Sequence, residues 1–141
     1  MDEELADRLR AAAHQAFGDE PVVLAYLFGS RAAGGATARS DTDIAVLLDD
    51  ALDADQRFAF ALRSFRPLDR AAPGKVDLVV LNDAPLLLRG RILRHRRVLY
   101  SRDETVRADY ESLTLRRYWD FAPRAEAMSR AYLAATARGE T

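Results

Sequence analysis

The stretch LAYLFGSRAAGGATARSDTDIAVLL, residues 24–48, decides how the chain is read. It divides into an apolar strand, a glycine-containing turn, a short helix or loop, and a second apolar strand. Gly29-Ser30 closes the first strand, and ten residues later Asp41-Thr42-Asp43 opens the second. Strand residues two apart point to the same face. Asp41 and Asp43 therefore set two carboxylates side by side at the start of an apolar strand. Like charges that close repel each other unless a cation lies between them. Magnesium is usually held by one or two carboxylates together with substrate phosphates. Gly29 allows backbone to approach a phosphate closely, and Ser30 adds a hydroxyl and an N–H where a helix would start. The plainer reading is a β-turn followed by turn-forming or N-capping aspartates. Gly-Ser alone carries no signal, and Asp-x-Asp alone a weak one. Their combination, at this spacing and between two strands, favours a site for a metal–triphosphate.

Outward from this stretch, periodicity supplies the other elements. Residues 3 to about 17 read as a helix with Leu5, Leu9, Ala12, Ala16 and Phe17 on one face, stopped by Gly18. VVLAYLF, residues 22–28, is a continuous apolar run of the kind found in buried central strands. Arg31 and Arg39 flank the small-residue run between the two motifs. Either suits forked hydrogen bonds to phosphate, or simply a charged surface. Asp49 and Asp50 end the second strand as turn formers. Asp53 and Gln56 match a capping box for a helix ending near Phe65, with residues 67–74 as a loop.

KVDLVVL, residues 75–81, reads as a third strand. Asp77 interrupts its apolar run, which is costly unless the carboxylate has a partner; an edge strand with Asp77 facing water is the alternative. Asn82 or Asp83 is expected to cap the next helix, with Pro85 in its first turn. Arg89, Arg91, Arg94, Arg96 and Arg97 cluster there, as a phosphate- or RNA-facing patch or as a solvated helix face. A short strand at 97–100 follows. Ser101 and Glu104 match a second capping box, and an apolar stripe then runs through Tyr110, Trp119, Phe121 and Met128. Pro123 is expected to kink or split this segment. The stripe is more apolar surface than a lone helix should expose, so it packs on the sheet or forms an interface.

The 141 residues suit one domain over 1–141, with 103–136 a C-terminal helical segment. The apolar fraction of 49% is ordinary, and the formal net charge of −1 gives no basis for direct nucleic-acid binding. Absence of cysteine excludes disulfides and thiolate metal sites. No apolar run approaches the ~20 residues of a membrane span, and the acidic start MDEELADRLR is unlike a signal peptide. A cytoplasmic protein is the expectation.

The Gly29-Ser30, Asp41-x-Asp43 pattern resembles the signature of the DNA polymerase β-like nucleotidyltransferase superfamily. The small size and the run KVDLVVLNDAPLLLRGRILRHRRVLY, residues 75–100, are similar to the minimal nucleotidyltransferase (MNT) antitoxins of HEPN/MNT toxin–antitoxin pairs. The likeness spans roughly residues 5–135. It implies an α/β (α+β) minimal nucleotidyltransferase fold: a small mixed sheet with helices on one face, and a long C-terminal helical segment. It also implies that Asp41 and Asp43 bridge two magnesium ions, with Asp77 completing the metal site from a neighbouring strand. Gly29 and Ser30 would cradle phosphates of ATP, with Arg31 and Arg39 as further nucleotide contacts. The implied reaction is transfer of AMP to a hydroxyl, a tyrosine, of a partner HEPN ribonuclease toxin. Two other readings stay open: an antitoxin that acts by occlusion alone, and a transferase acting on a small molecule or an RNA end. Homo-oligomerisation is left open as well. Larger members of the superfamily grip their acceptor with a second domain. This chain has no room for one, so its acceptor geometry must come from a partner.

Overall fold

A computed structural model describes residues 3–33, 41–72 and 74–137. In chain order the elements are α1 (Glu3–Phe17), β1 (Val22–Phe28), α2 (Gly29–Ala33), β2 (Thr42–Leu48), α3 (Ala54–Ala71) and β3 (Val76–Val80). A 3-10 turn (Leu81–Asp83), α4 (Leu86–Arg94), β4 (Arg97–Ser101) and α5 (Glu104–Ala137) complete the chain. The four strands form one mixed sheet in the order β3-β2-β1-β4. β1 is antiparallel to both its neighbours, and β2 is parallel to β3.

The helices cover both faces of the sheet, not one as expected. Ala25, Leu27, Ile44 and Val46 face Leu9 and Phe17 of α1 and Phe60 and Leu68 of α3. Leu24, Tyr26 and Ala45 face Ile92 and Leu93 of α4, with Tyr110 and Leu115 of α5 against them. β1 and β2 explain this: neither alternates apolar with polar residues, so each needs cover on both sides.

Prolines stop less than the sequence suggests. α3 keeps its capping box at Asp53 and Gln56 but runs on through Pro67 to Ala71, where a loop was expected. Leu68, one residue past the proline, is fully buried, and that packing outweighs the lost backbone bond. α5 is continuous through Pro123 rather than split there. The alanine-rich sequence beyond Pro123 has high helix propensity.

Two capping expectations are also corrected. Asn82 does not cap α4. Its side chain accepts from the Leu48 N–H at 2.8 Å and donates to the Leu48 carbonyl at 2.9 Å, tying the end of β3 to the end of β2. Pro85 takes the N-cap position of α4, without a side-chain bond. At α5 the cap is Asp103, whose carboxylate accepts from the N–H groups of Thr105 and Val106. The Ser101 hydroxyl donates to the Glu104 carboxylate instead.

Candidate active site

Strand register builds the site. β2 and β3 run in parallel with Thr42 beside Val76 and Asp43 beside Asp77. The Thr42 N–H donates to the Lys75 carbonyl at 2.8 Å, which fixes the two strand starts against each other. Thr42 and Val76 are both buried, Val76 in the core beneath α1 and α3. Alternation then turns Asp43 and Asp77 together onto the opposite face. Asp41 stands just before β2 and is exposed, as is Asp77, while Asp43 is half-buried. β3 is an edge strand, as the water-facing alternative for Asp77 required. Edge position and proximity to Asp43 both hold, because only β2 flanks it.

Across the sheet, Asp43 pairs with Phe28, the residue before Gly29. Gly29 has φ +74°, a left-handed conformation that L side chains rarely adopt. A Cβ there would lie 2.1 Å from Asp43 Oδ2, so backbone and carboxylate meet where only a hydrogen fits. Burial, then Asp77, then Asp41 push the Asp43 carboxyl above its ordinary range. A crowded set of carboxylates on an open edge suits a divalent cation. Among the described residues no three His, Asp or Glu side chains form a closed ligand group. Magnesium needs no such cage, since it keeps water and substrate phosphates as ligands.

Gly29, Asp41, Asp43 and Asp77 are thus brought together. Ser30 follows Gly29 in the first turn of α2. Arg31 is buried, which removes its reading as surface charge. Arg39 lies outside the described residues. Phe28, on the same face as Asp43 and partly packed against the α4 side of the core, was not foreseen. Counting the β1 alternation forward from Tyr26 would have found it.

Three of the clustered arginines serve the fold, and Arg91 is exposed. Arg96 pairs with Glu111 at 2.6 Å, Arg97 with Glu3 at 2.7 Å, and Arg94 lies 5.6 Å from the centre of the Trp119 ring. A cavity of about 590 Å³ opens among Leu47, Leu81, Arg89 and Tyr110. It lies at the far end of β2 from Asp43, so it is not where the carboxylates gather.

The family model for polymerase beta nucleotidyltransferases matches residues 14–105, nearly two-thirds of the chain, with Gly29, Asp41, Asp43 and Asp77 all inside it. The chain belongs to the polymerase beta nucleotidyltransferase family. No curated protein matches this nucleotidyltransferase by sequence. Among solved structures it is similar to a toxin–antitoxin with AMP-PNP, with TM-score 0.62 and 24% identity over 93% of this chain and 97% of that one. It is also similar to a tri-AMPylated Shewanella oneidensis HEPN toxin in complex with its MNT antitoxin (TM-score 0.59, 23% identity, 96% and 98% of the two chains). The toxin–antitoxin MntA–HepT gives TM-score 0.58 at 22% identity over 96% and 98%. At these identities the likeness is one of fold, and it extends over α5, beyond the segment matched by the family model.

Proposed function

We propose that this nucleotidyltransferase transfers AMP from ATP to a hydroxyl of a HEPN ribonuclease toxin, a tyrosine, and so acts as its antitoxin. The observation that carries this reading is Asp43 held between Asp77 and the Gly29 turn, with Asp41 alongside. The nucleotide bound in one structural neighbour and the AMPylated toxin in another support it.

Asp41 and Asp43 would hold two magnesium ions, and Asp77 the one nearer the acceptor. When bound, such a pair neutralises charge on both the attacking and the leaving oxygen of an in-line displacement. The chain's residues do the positioning. Gly29 leaves room for phosphate oxygens beside the carboxylates, and the backbone N–H groups of Gly29 and Ser30 orient the β- and γ-phosphates. Arg31 and Arg39 are assigned to the nucleotide as well. In the reaction the acceptor oxygen bonds to the α-phosphorus, and the bond from that phosphorus to the bridging oxygen breaks. Pyrophosphate leaves, and the hydroxyl proton passes to the exposed Asp77 carboxylate and on to water. Most of the rate comes from alignment and charge stabilisation, which fits a site without a cysteine or histidine nucleophile.

The whole chain is read as one domain acting in the cytoplasm, where ATP and a ribonuclease toxin meet. No described helix is long and apolar enough to cross a membrane. Occlusion without chemistry is the competing reading. It is tested by the toxin's ribonuclease activity after incubation with this protein and magnesium, with ATP or with a non-hydrolysable α,β-methylene analogue. Lasting inhibition that survives removal of this protein, with ATP only, is expected. Equal inhibition with the analogue, reversed when the protein is removed, favours occlusion.

A further inference from the structure

The part of α5 that leaves the sheet is the feature the reaction does not use. Over its first half, α5 packs with Glu111, Thr114, Tyr118 and Ala122 turned inward, each less than 10% exposed. These positions step by three or four, the spacing of one helix face. Continued, the series passes through positions 125, 129, 132 and 136, on a helix that remains unbroken to Ala137. From residue 123 onward no described side chain is buried. In that series position 129 is serine and position 136 threonine, but Tyr132 is 70% exposed, and Met128 and Leu133 beside it are 70% and 64% exposed. Large apolar side chains thus stay exposed along this part of the helix.

Its direction links it to the carboxylates. α5 starts just after Ser101, which pairs with Leu24 of β1. Glu111 then sits over Tyr26, accepting its hydroxyl hydrogen at 3.1 Å. Trp119 is level with Arg94 at the end of α4, just before β4 begins at Arg97 opposite Leu27. α5 therefore advances along β1 toward Phe28 and leaves the sheet at the end that carries Asp43 and Asp77. Neighbouring strands lie about 4.8 Å apart, so β1, β2 and β3 bring these carboxylates within about 15 Å of that exit. Fifteen further residues at 1.5 Å each extend the helix about 20 Å beyond it. Trp119 at the exit is braced by Arg94 and by the Tyr118 ring at 5.1 Å, a pre-ordered aromatic of the kind that anchors interfaces.

We infer that the projecting half of α5 is the docking surface for the acceptor protein, gripping it through Met128, Tyr132 and Leu133. A body seated there is held against the carboxylate end of the sheet, where an in-line hydroxyl is required. The helix so supplies a grip on the acceptor. The inference rests on the proposed transfer to a protein hydroxyl, and adds where that protein binds. A second copy of this chain seated there would instead block the approach to Asp43.

The test compares the wild type with Met128→Glu/Tyr132→Lys. This pair places Glu four residues before Lys, which supports the helix while abolishing the apolar surface. Binding of a HEPN ribonuclease toxin is measured by calorimetry, its AMPylation by intact mass, and ATP–magnesium binding by each form alone. The variant is expected to keep its circular dichroism and its ATP affinity, to bind the HEPN protein about 30-fold or more weakly, and to modify it correspondingly slower. Unchanged HEPN affinity in the variant overturns the inference. So does a wild-type dimer that the variant converts to monomers with AMPylation intact. Wild-type binding without AMP transfer contradicts the proposed reaction alone, and the loss of binding in the variant then still decides the docking surface.

Discussion

Asp43 and Gly29 depend on each other in a way that single substitutions expose. The ionised Asp43 carboxylate is disfavoured in the fold by burial, by Asp77 and by Asp41. Its folded value is raised, so the protonated form contributes stability below the ordinary aspartate range, about 3.9. That contribution is lost as pH rises through the raised value. At neutral pH the metal-free fold therefore carries a cost that Asp43→Asn removes. We expect Asp43→Asn to melt at the same temperature as the wild type or higher at pH 7 without magnesium, and to lose AMP transfer. A variant that unfolds assigns these carboxylates a structural role. At Gly29, alanine must adopt φ +74° and push Asp43 Oδ2 aside. Gly29→Ala should cost about 1–2 kcal/mol of stability by denaturant titration, and at least about 100-fold in transfer rate through displacement of the carboxylate. Gly29, Asp41 and Asp43 were legible in the sequence because the motif is local. From its residues alone Asp77 was readable only as a costly acid in an apolar strand, and its assignment to the metal site came from the family resemblance. Its place beside Asp43 follows from a parallel pairing between strands nearly thirty residues apart, which no local pattern encodes. Phe28, by contrast, was within reach of the local β1 alternation, two residues beyond Tyr26.

Among the elements, α5 depends on one buried carboxylate. Glu111 accepts from Tyr26 at 3.1 Å, from Arg96 at 2.6 Å and from Arg107 at 2.7 Å. Burial alone would raise its pKa; the hydrogen bonds from Arg96 and Arg107 outweigh that and hold it below the usual glutamate range. Its stabilising contribution is then complete above about 4.3, the unfolded value, and lost as pH falls through the lower folded value. Glu111→Gln should destabilise the protein at pH 7 by about 3–5 kcal/mol, since it leaves Arg96 partly buried and uncompensated. It should also flatten the dependence of melting temperature on pH below about 4.3. An equal acid slope in both proteins would contradict this assignment. α4 meets α5 at Gly90, where a Cβ would lie 2.1 Å from the Tyr118 ring. Gly90→Ala should cost about 1–3 kcal/mol as Tyr118 is displaced. Element types and most boundaries could be read from periodicity. The prolines misled because Pro67 and Pro123 were judged by local backbone cost, whereas burial of Leu68 keeps α3 going past Pro67.

For the whole molecule, the apolar strands announced a sheet covered on both sides, yet a one-sided arrangement was expected from family resemblance. The order of elements was right; the second helical layer follows from residues such as Leu24, Tyr26 and Ala45, which β1 and β2 present away from α1 and α3. That layer matters for function because it sends α5 out past the carboxylate end. In the proposed reaction the chain is an enzyme acting on a protein partner. The most direct test is the intact mass of a HEPN ribonuclease toxin after incubation with this chain, ATP and magnesium. Whole increments of AMP on the HEPN protein, absent with Asp41→Ala or Asp43→Ala, are predicted. A HEPN protein of unchanged mass that is nonetheless fully inhibited would contradict the claim.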